Sequence, residues 1–237
     1  MTIDLRLGRW QDVMQDVECD LLLVDAPYSE KTHAGHGISV EHLGATNNKR
    51  RTVNRRAIDY DAWNTESVRR FVEGWSLRSR GWFCTITDHV LMYDWAEALE
   101  DAGRYVFAPI PIVEIGSRVR LSGDGPSSWT CWLIVARPRT PGFVRWGTLP
   151  GAYIGSGKGD REHIGGKDST IMRAIVRDYS RPGDLVCDPC LGAATTAYAA
   201  ACEGRRFVGS EMDPATFAKA KARMERGYTP PLFTGGV

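Results

Sequence analysis

The chain has 237 residues, 43% of them hydrophobic, with 30 basic against 29 acidic side chains. At ~100–200 residues per domain this is one core with insertions, and the net charge of +1 neither argues for nucleic acid nor excludes it, because a basic face can be masked by acids elsewhere. No uninterrupted apolar stretch approaches the ~18 residues of a membrane span, no lipidation motif is evident, and no charged-then-apolar leader opens the sequence.

The cysteines, Cys19, Cys84, Cys131, Cys187, Cys190 and Cys202, are scattered through predicted strands and helices, which suits a reducing, cytoplasmic compartment. Thr2 to Leu7 alternates as a strand, Gly8 permits a turn, and Trp10 to Met14 is a short helical pattern. The apolar run Leu21-Leu22-Leu23-Val24 then predicts a buried strand. It delivers Asp25-Ala26-Pro27-Tyr28 at its carboxyl end, where open α/β sheets carry their chemistry. A carboxylate and a backbone carbonyl can accept hydrogens from an exocyclic amine while the ring stacks on a flipped-out base. An Asp and a Pro after a strand also make a plain turn.

Residues 29–64 are polar and without a sustained period, as expected of a long functional loop. Within them Lys49, Arg50, Arg51, Arg55 and Arg56 form the densest positive cluster, suited to phosphate contacts beside a strand-end site and equally to a solvated loop. His33, His36 and His42 share this loop, but no cysteine or carboxylate completes a zinc spacing, so no metal is expected.

Thr65 is placed to cap a helix with Val68, Phe71, Val72 and Trp75 at helical spacing, a core face. Trp82 to Thr87 is the next strand, and Asp88 opens a helix through Leu91, Trp95 and Leu99 that stops at Gly103. Tyr105 to Ile115 and Trp129 to Ala136 read as two strands about the turn residues Gly123-Asp124-Gly125-Pro126, an antiparallel edge appended to a parallel sheet. Gly155-Ser156-Gly157-Lys158-Gly159 lacks the spacing and the hydroxyl of a phosphate loop, and the stretch from Gly151 to Gly166 reads as a flexible loop. Trp10, Trp63 and Trp129 are candidates to wedge or stack on DNA, although most of the eight tryptophans serve the core.

The last third is the most specific. Ser169 to Tyr179 is helical, Leu185-Val186-Cys187-Asp188 is a strand ending in an acid, and a turn of small residues runs into the helix of Ala197, Ala199, Ala200 and Ala201. A further strand, Arg206 to Ser210, ends at Glu211, near the ~20-residue offset at which an acid takes ribose hydroxyls. Cys187-Asp188-Pro189-Cys190 also has redox or zinc spacing, but no second cysteine pair accompanies it.

Asp188-Pro189-Cys190-Leu191-Gly192-Ala193-Ala194-Thr195-Thr196 resembles the D-P-F-x-G-S-G-T-T stretch of S-adenosylmethionine-dependent methyltransferases, and Asp25-Ala26-Pro27-Tyr28 their D-P-P-Y. His163 to Asp168 is similar to their H-P-x-Q-K-P, and Arg205 to Asp213 to G-R-x-x-x-G-x-E-x-D. The motif order is that of the β group of DNA amino-methyltransferases. Ala26 stands for a proline, Cys190 for a phenylalanine, Ala194 for a glycine, and Gly8-Arg9 for Gly-Asp.

The resemblance implies an α/β fold: a doubly wound, mostly parallel seven-stranded sheet with an antiparallel edge hairpin. It implies one domain over 1–237, with 29–64 and 116–151 as target-recognition insertions. It further implies S-adenosyl-L-methionine as cofactor, bound by Asp25, Lys167, Ser169, Asp188, Pro189, Cys190, Gly192, Ala194, Thr195, Thr196, Glu211 and Asp213. Asp25, Ala26, Pro27 and Tyr28 become the catalytic residues, the partner double-stranded DNA, and the setting a bacterial or phage-infected cell, with or without a restriction nuclease. Asp at the first position goes with N6-adenine and Ser with N4-cytosine. RNA methylation and an inactive binder are the rival classes. A chain this short contacts little DNA alone, which favours a homodimer.

Overall fold

The computed structural model describes residues 2–34, 40–43, 50–53, 60–115, 129–140, 146–155 and 167–228. In chain order the elements are β1 (Ile3–Leu7), α1 (Trp10–Val13), β2 (Cys19–Asp25), α2 (Glu30–Ala34), β3 (Val40–Leu43), β4 (Arg50–Val53), α3 (Thr65–Trp75), β5 (Ser79–Thr87) and α4 (Met92–Asp101). There follow β6 (Tyr105–Val106), β7 (Ile110–Glu114), β8 (Thr130–Arg137), β9 (Tyr153–Gly155), α5 (Ser169–Tyr179), β10 (Leu185–Asp188), α6 (Thr195–Cys202), β11 (Arg206–Glu211) and α7 (Pro214–Glu225).

Nine strands form one sheet in the order β1-β11-β10-β2-β5-β8-β7-β9, with β6 paired to β8. These are the seven strands expected plus two short ones of two and three residues. The expected antiparallel hairpin is appended at β5: β8 runs antiparallel between β5 and β7, and the short β9 adds parallel to β7 beyond it. Thr130–Arg137, read as a strand within the 116–151 stretch, belongs to the sheet, and residues 116–128 and 141–145 of that stretch lie outside the described residues. Tyr153–Gly155, expected within a flexible loop, is that extra strand; residues 156–166 lie outside the described set.

Strand alternation explains the layers. Leu21 and Leu23 of β2 face a cluster closed by Ile171, Ile175, Ala197, Ala200 and Ala220 of α5, α6 and α7. Leu22 and Val24 face the opposite cluster, with Val68, Phe71, Trp75, Trp95 and Leu99 of α3 and α4. A strand apolar on both faces is what a doubly covered sheet needs. Alanines at 197, 199, 200 and 201 are fully buried, and their size lets α6 lie close to the sheet and α5.

The strand order reverses between the parallel neighbours β10 and β2: α6 and β11 are added on one side from β10, while α3 and β5 are added on the other side from β2. Ligands in open α/β sheets bind outside the carboxyl ends of the strands at such a switch point. Asp188 and Asp25 end the two strands that flank it.

The stretch 29–64 contains more regularity than its polarity suggests: α2 and an antiparallel β3–β4 pair, with Leu43 opposite Arg50 and His42 opposite Arg51. Lys49, Arg55, Arg56 and His36 lie outside the described residues. Asn64, rather than Thr65, caps α3 by accepting from the Ser67 amide at 3.0 Å. Among the described residues no helix is long and apolar enough to cross a membrane.

Candidate active site

The site is a row of acids at the carboxyl edge of the sheet: Glu211 on β11, Asp188 on β10, Asp25 on β2, Asp88 just past β5 and Glu114 on β7. Each ends or follows a strand whose preceding residues are apolar and covered, so the carboxylates emerge together where the sheet stops.

Asp25 is held by two side chains. Its Oδ2 accepts from Lys167 Nζ at 2.9 Å, and its Oδ1 accepts from the Tyr28 hydroxyl at 3.2 Å. The same ammonium lies 4.9 Å from the centre of the Tyr28 ring. Burial pushes the Tyr28 phenol far above its ordinary range, and the neighbouring Asp25 charge adds to it, so the hydroxyl remains a donor. Burial alone would pull Lys167 down, but the Asp25 carboxylate outweighs it, and the ammonium is held above its usual value. Cys131 of β8 also faces this group, its thiol pushed up to about 11 chiefly by burial and therefore inert at neutral pH.

The backbone of the motif is clamped from two sides. The Tyr28 carbonyl accepts from the Trp63 amide at 3.0 Å. Asp88 Oδ2 accepts from the Ser29 amide at 3.0 Å and from the Ser29 and Thr32 hydroxyls at 2.5 Å each. Burial opposes ionisation of Asp88, but the hydrogen bonds from Ser29 and Thr32 prevail and hold its carboxyl below the usual range. Ala26 is buried in the α3–α4 cluster, so its methyl supplies packing where a proline ring is absent.

On the other side of the switch point, Asp188 Oδ1 accepts from the Cys190 amide at 3.0 Å, which closes the turn into α6. Glu211 binds the same turn: Oε2 accepts from the Gly192 amide at 3.0 Å and Oε1 from the Asp213 amide at 2.8 Å. Gly209 lets the strands approach, since a Cβ there would meet the Asp188 carbonyl and the Phe207 ring at 2.8 Å. Gly192 (φ 52°) and Ala194 (φ 64°) both take the left-handed conformation.

Ala194 is fully buried and shares a core cluster with Leu191 and Ala197, so its methyl packs inward. The left-handed conformation costs a residue with a Cβ about 1–2 kcal/mol, and a buried methyl returns about 0.8 kcal/mol. Ala194→Gly is therefore expected to change unfolding free energy by less than about 1 kcal/mol. Urea titration checks this, and a loss above about 2 kcal/mol would contradict it.

Several expected ligands also have structural roles. Asp213 caps α7 through the Thr216 amide at 2.7 Å, and the Thr195 hydroxyl accepts from Arg223 at 3.0 Å. Thr196 hydrogen-bonds Asp188, Ser169 opens α5, and Pro189 offers its carbonyl to the Ser210 hydroxyl at 3.2 Å. Trp10 packs on Phe71 and Trp75, and Trp63 on Trp95 and Phe71, so neither is available to wedge into DNA; Trp129 is exposed. Asp88, Glu114 and Cys131 are site residues that motif matching passed over. Asp88 and Glu114 carry the signal that revealed Asp25, an acid at a strand end; Cys131 carries none. Among the described residues no group of three metal-ligating side chains converges.

Comparison with known proteins agrees with this fold. Residues 146–222 match the N6/N4 methyltransferase family, described as DNA methylase. The complex of M1.HpyAVI with SAM superposes with a TM-score of 0.66 at 16% identity, covering 94% of this chain and 100% of that one. PvuII DNA methyltransferase, cytosine-N4-specific, gives 0.64 at 11% identity over 94% and 86%. This chain has the fold of the DNA methyltransferases. A modification methylase from Thermus thermophilus, TTHA0409, complexed with S-adenosyl-L-methionine, gives 0.60 at 16% identity over the whole of both chains. Within this methyltransferase fold the family match begins just before β9 and ends in α7, spanning the Asp188 turn and Glu211.

Proposed function

We propose that this protein transfers a methyl group from S-adenosyl-L-methionine to the exocyclic N6 of adenine in double-stranded DNA, on a base turned out of the helix. The observation that carries this reading is the position of Asp25-Ala26-Pro27-Tyr28 beside Asp188, across the switch point of a DNA-methyltransferase fold. The donor set suits the cofactor: Glu211 and Asp188 spend lone pairs on the turn but retain others for ribose hydroxyls, and the open space over Gly192 leaves room for close approach. When bound, the cofactor supplies a methyl group on a cationic sulfur. Asp25 and its neighbours make a favourable electrostatic environment for that charge.

Asp25 and the Ala26 or Pro27 carbonyl would accept the two hydrogens of the adenine amine and so localise its lone pair, while the Tyr28 ring stacks on the base. As the new N–C bond forms, the S–C bond breaks with its electron pair on sulfur. The surplus proton on nitrogen leaves by way of Asp25 to solvent. Arg50 and Arg51, on the β4 strand after the catalytic motif, and Lys49, Arg55 and Arg56 beside them would bind phosphate. An Asp at the first motif position supports adenine over N4-cytosine.

Asp188 gives a testable proton linkage. Its carboxyl is pushed up to about 7, chiefly by burial, with the Asp25 and Glu211 charges adding to it. Because the folded value exceeds the unfolded one, the stability it contributes is fully present at low pH and lost as pH rises toward 7. A bound cation favours the ionised form, so cofactor affinity is expected to rise with pH and level off above about 7. Calorimetry in buffers of different ionisation heat should find proton release on binding at mildly acidic pH; flat affinity with no release would contradict this. The function is tested by supplying labelled cofactor with duplex DNA or RNA. Label in DNA supports the reading, and label in RNA alone would replace it.

A further inference from the structure

Lys167 is buried, yet it follows a polar, glycine-rich stretch and belongs to no helix or strand. Two contacts fix where it points. The Asp168 amide donates to Glu114 Oε1 at 3.3 Å, and the Asp168 carboxylate caps α5 through the Thr170 amide at 2.8 Å. Held this way, Lys167 reaches across the edge of the sheet to Asp25 rather than along the turn from β10 into α6. An ammonium buried at this depth needs its charge answered, and Asp25 answers it directly.

The two hydrogen bonds on Asp25 are unequal. The bond from Lys167 is charge-assisted at 2.9 Å, whereas the neutral hydroxyl bond from Tyr28 is long at 3.2 Å. An incoming amine exchanges most easily with the weaker partner. Building on the proposed function, we infer that Lys167 is a positioning residue for Asp25: it stays on Oδ2 through the reaction, fixes the orientation and charge of the carboxylate, and leaves Oδ1 to the target amine. The Tyr28 hydroxyl is the group displaced. This assigns Lys167 to Asp25 and not to the cofactor.

The charged and titratable groups facing this pair are Tyr28 after β2, Cys131 on β8, Glu114 on β7, and Asp188 on neighbouring β10. Two of them are carboxylic acids. With no cation at 167, repulsion among the carboxylates favours protonation of the site, so the fall in activity on the acid side sets in at higher pH.

The test measures label transfer into DNA across pH for the wild type, Lys167→Met and Lys167→Arg, with Lys167→Gln as the uncharged replacement should the methionine variant not fold. Loss of the charge is expected to move the acid limb of kcat upward by about one pH unit or more, to lower kcat about tenfold or more, and to leave KM for the cofactor within about threefold. Arginine, which keeps the charge, should return the limb toward wild type. A rise in cofactor KM above about tenfold with the limb unmoved would overturn the inference and make Lys167 a cofactor ligand. An unchanged profile would also overturn it. If the wild type transfers no methyl group to DNA, the proposed function itself fails, a result seen before any variant is compared.

Discussion

Replacing Asp25 by asparagine is expected to lower methyl transfer into DNA by about 100- to 1,000-fold, the usual loss when one preorganised group at the reacting centre is removed. The amide keeps an oxygen toward Lys167 Nζ and roughly the shape of the carboxylate, but supplies no charge to hold the amine's hydrogens. Asp25→Ala should lose at least as much activity and, by leaving a buried ammonium without its partner, about 1–3 kcal/mol of stability as well. Cofactor affinity separates the two effects. It should change far less than kcat in Asp25→Asn, and a variant retaining more than about a third of wild-type kcat would mean that Asp25 does not touch the amine.

Trp95→Ala is expected to produce the largest loss of stability, about 3–5 kcal/mol, as for other fully buried large aromatics. Trp95 is completely buried on the α3–α4 side, with Trp63 stacked at 5.9 Å and Phe71 and Phe83 at 5.7 and 6.3 Å. In a chain this size that is roughly 6–20 °C in melting temperature. The consequence extends to the site, because Trp63 rests on Trp95 and its amide holds the Tyr28 carbonyl. The folded fraction of Trp95→Ala should therefore turn over more slowly, with KM for DNA raised. Melting curves and activity on the same sample check both parts, and full turnover by the folded fraction would show that the aromatic stack does not position Tyr28.

The parts of the fold that were legible in the sequence are those where one physical signal dominates. β2, β5 and β10 are short apolar runs, α3 and α5 carry apolar residues at helical spacing, and the turn from Asp188 to Ala194 is made of small residues because backbone packs against backbone there. What was not legible depends on pairing across long separations. Tyr153–Gly155 is a strand because β7 offers it a free edge, which three residues within a glycine-rich stretch cannot announce. Nor does the sequence around Thr130 say which strand of the hairpin pairs with β5.

The site divides the same way. Asp25, Asp188 and Glu211 could be found because each is an acid directly after an apolar strand. The link between Lys167 and Asp25 joins residues 142 positions apart, and the Ser29–Asp88 clamp joins residues 59 apart. Local pattern places Lys167 in its motif and Asp88 at the start of a helix; the structure adds the long-range partner of each, Asp25 for Lys167 and Ser29 for Asp88, whose Oδ1 still accepts from the Val90 and Leu91 amides at 3.0 Å at the entry to α4. Asp213 is the reverse case, a motif residue whose carboxylate caps α7.

The most direct test is to incubate the protein with unmethylated genomic DNA and isotopically labelled S-adenosylmethionine, digest to nucleosides and identify the labelled product, with Asp25→Asn beside it. The account predicts labelled N6-methyladenine that falls with the variant. Labelled N4-methylcytosine would keep the amine chemistry and overturn the choice of base, whereas no label in DNA from a folded, cofactor-binding protein would contradict the account at its centre.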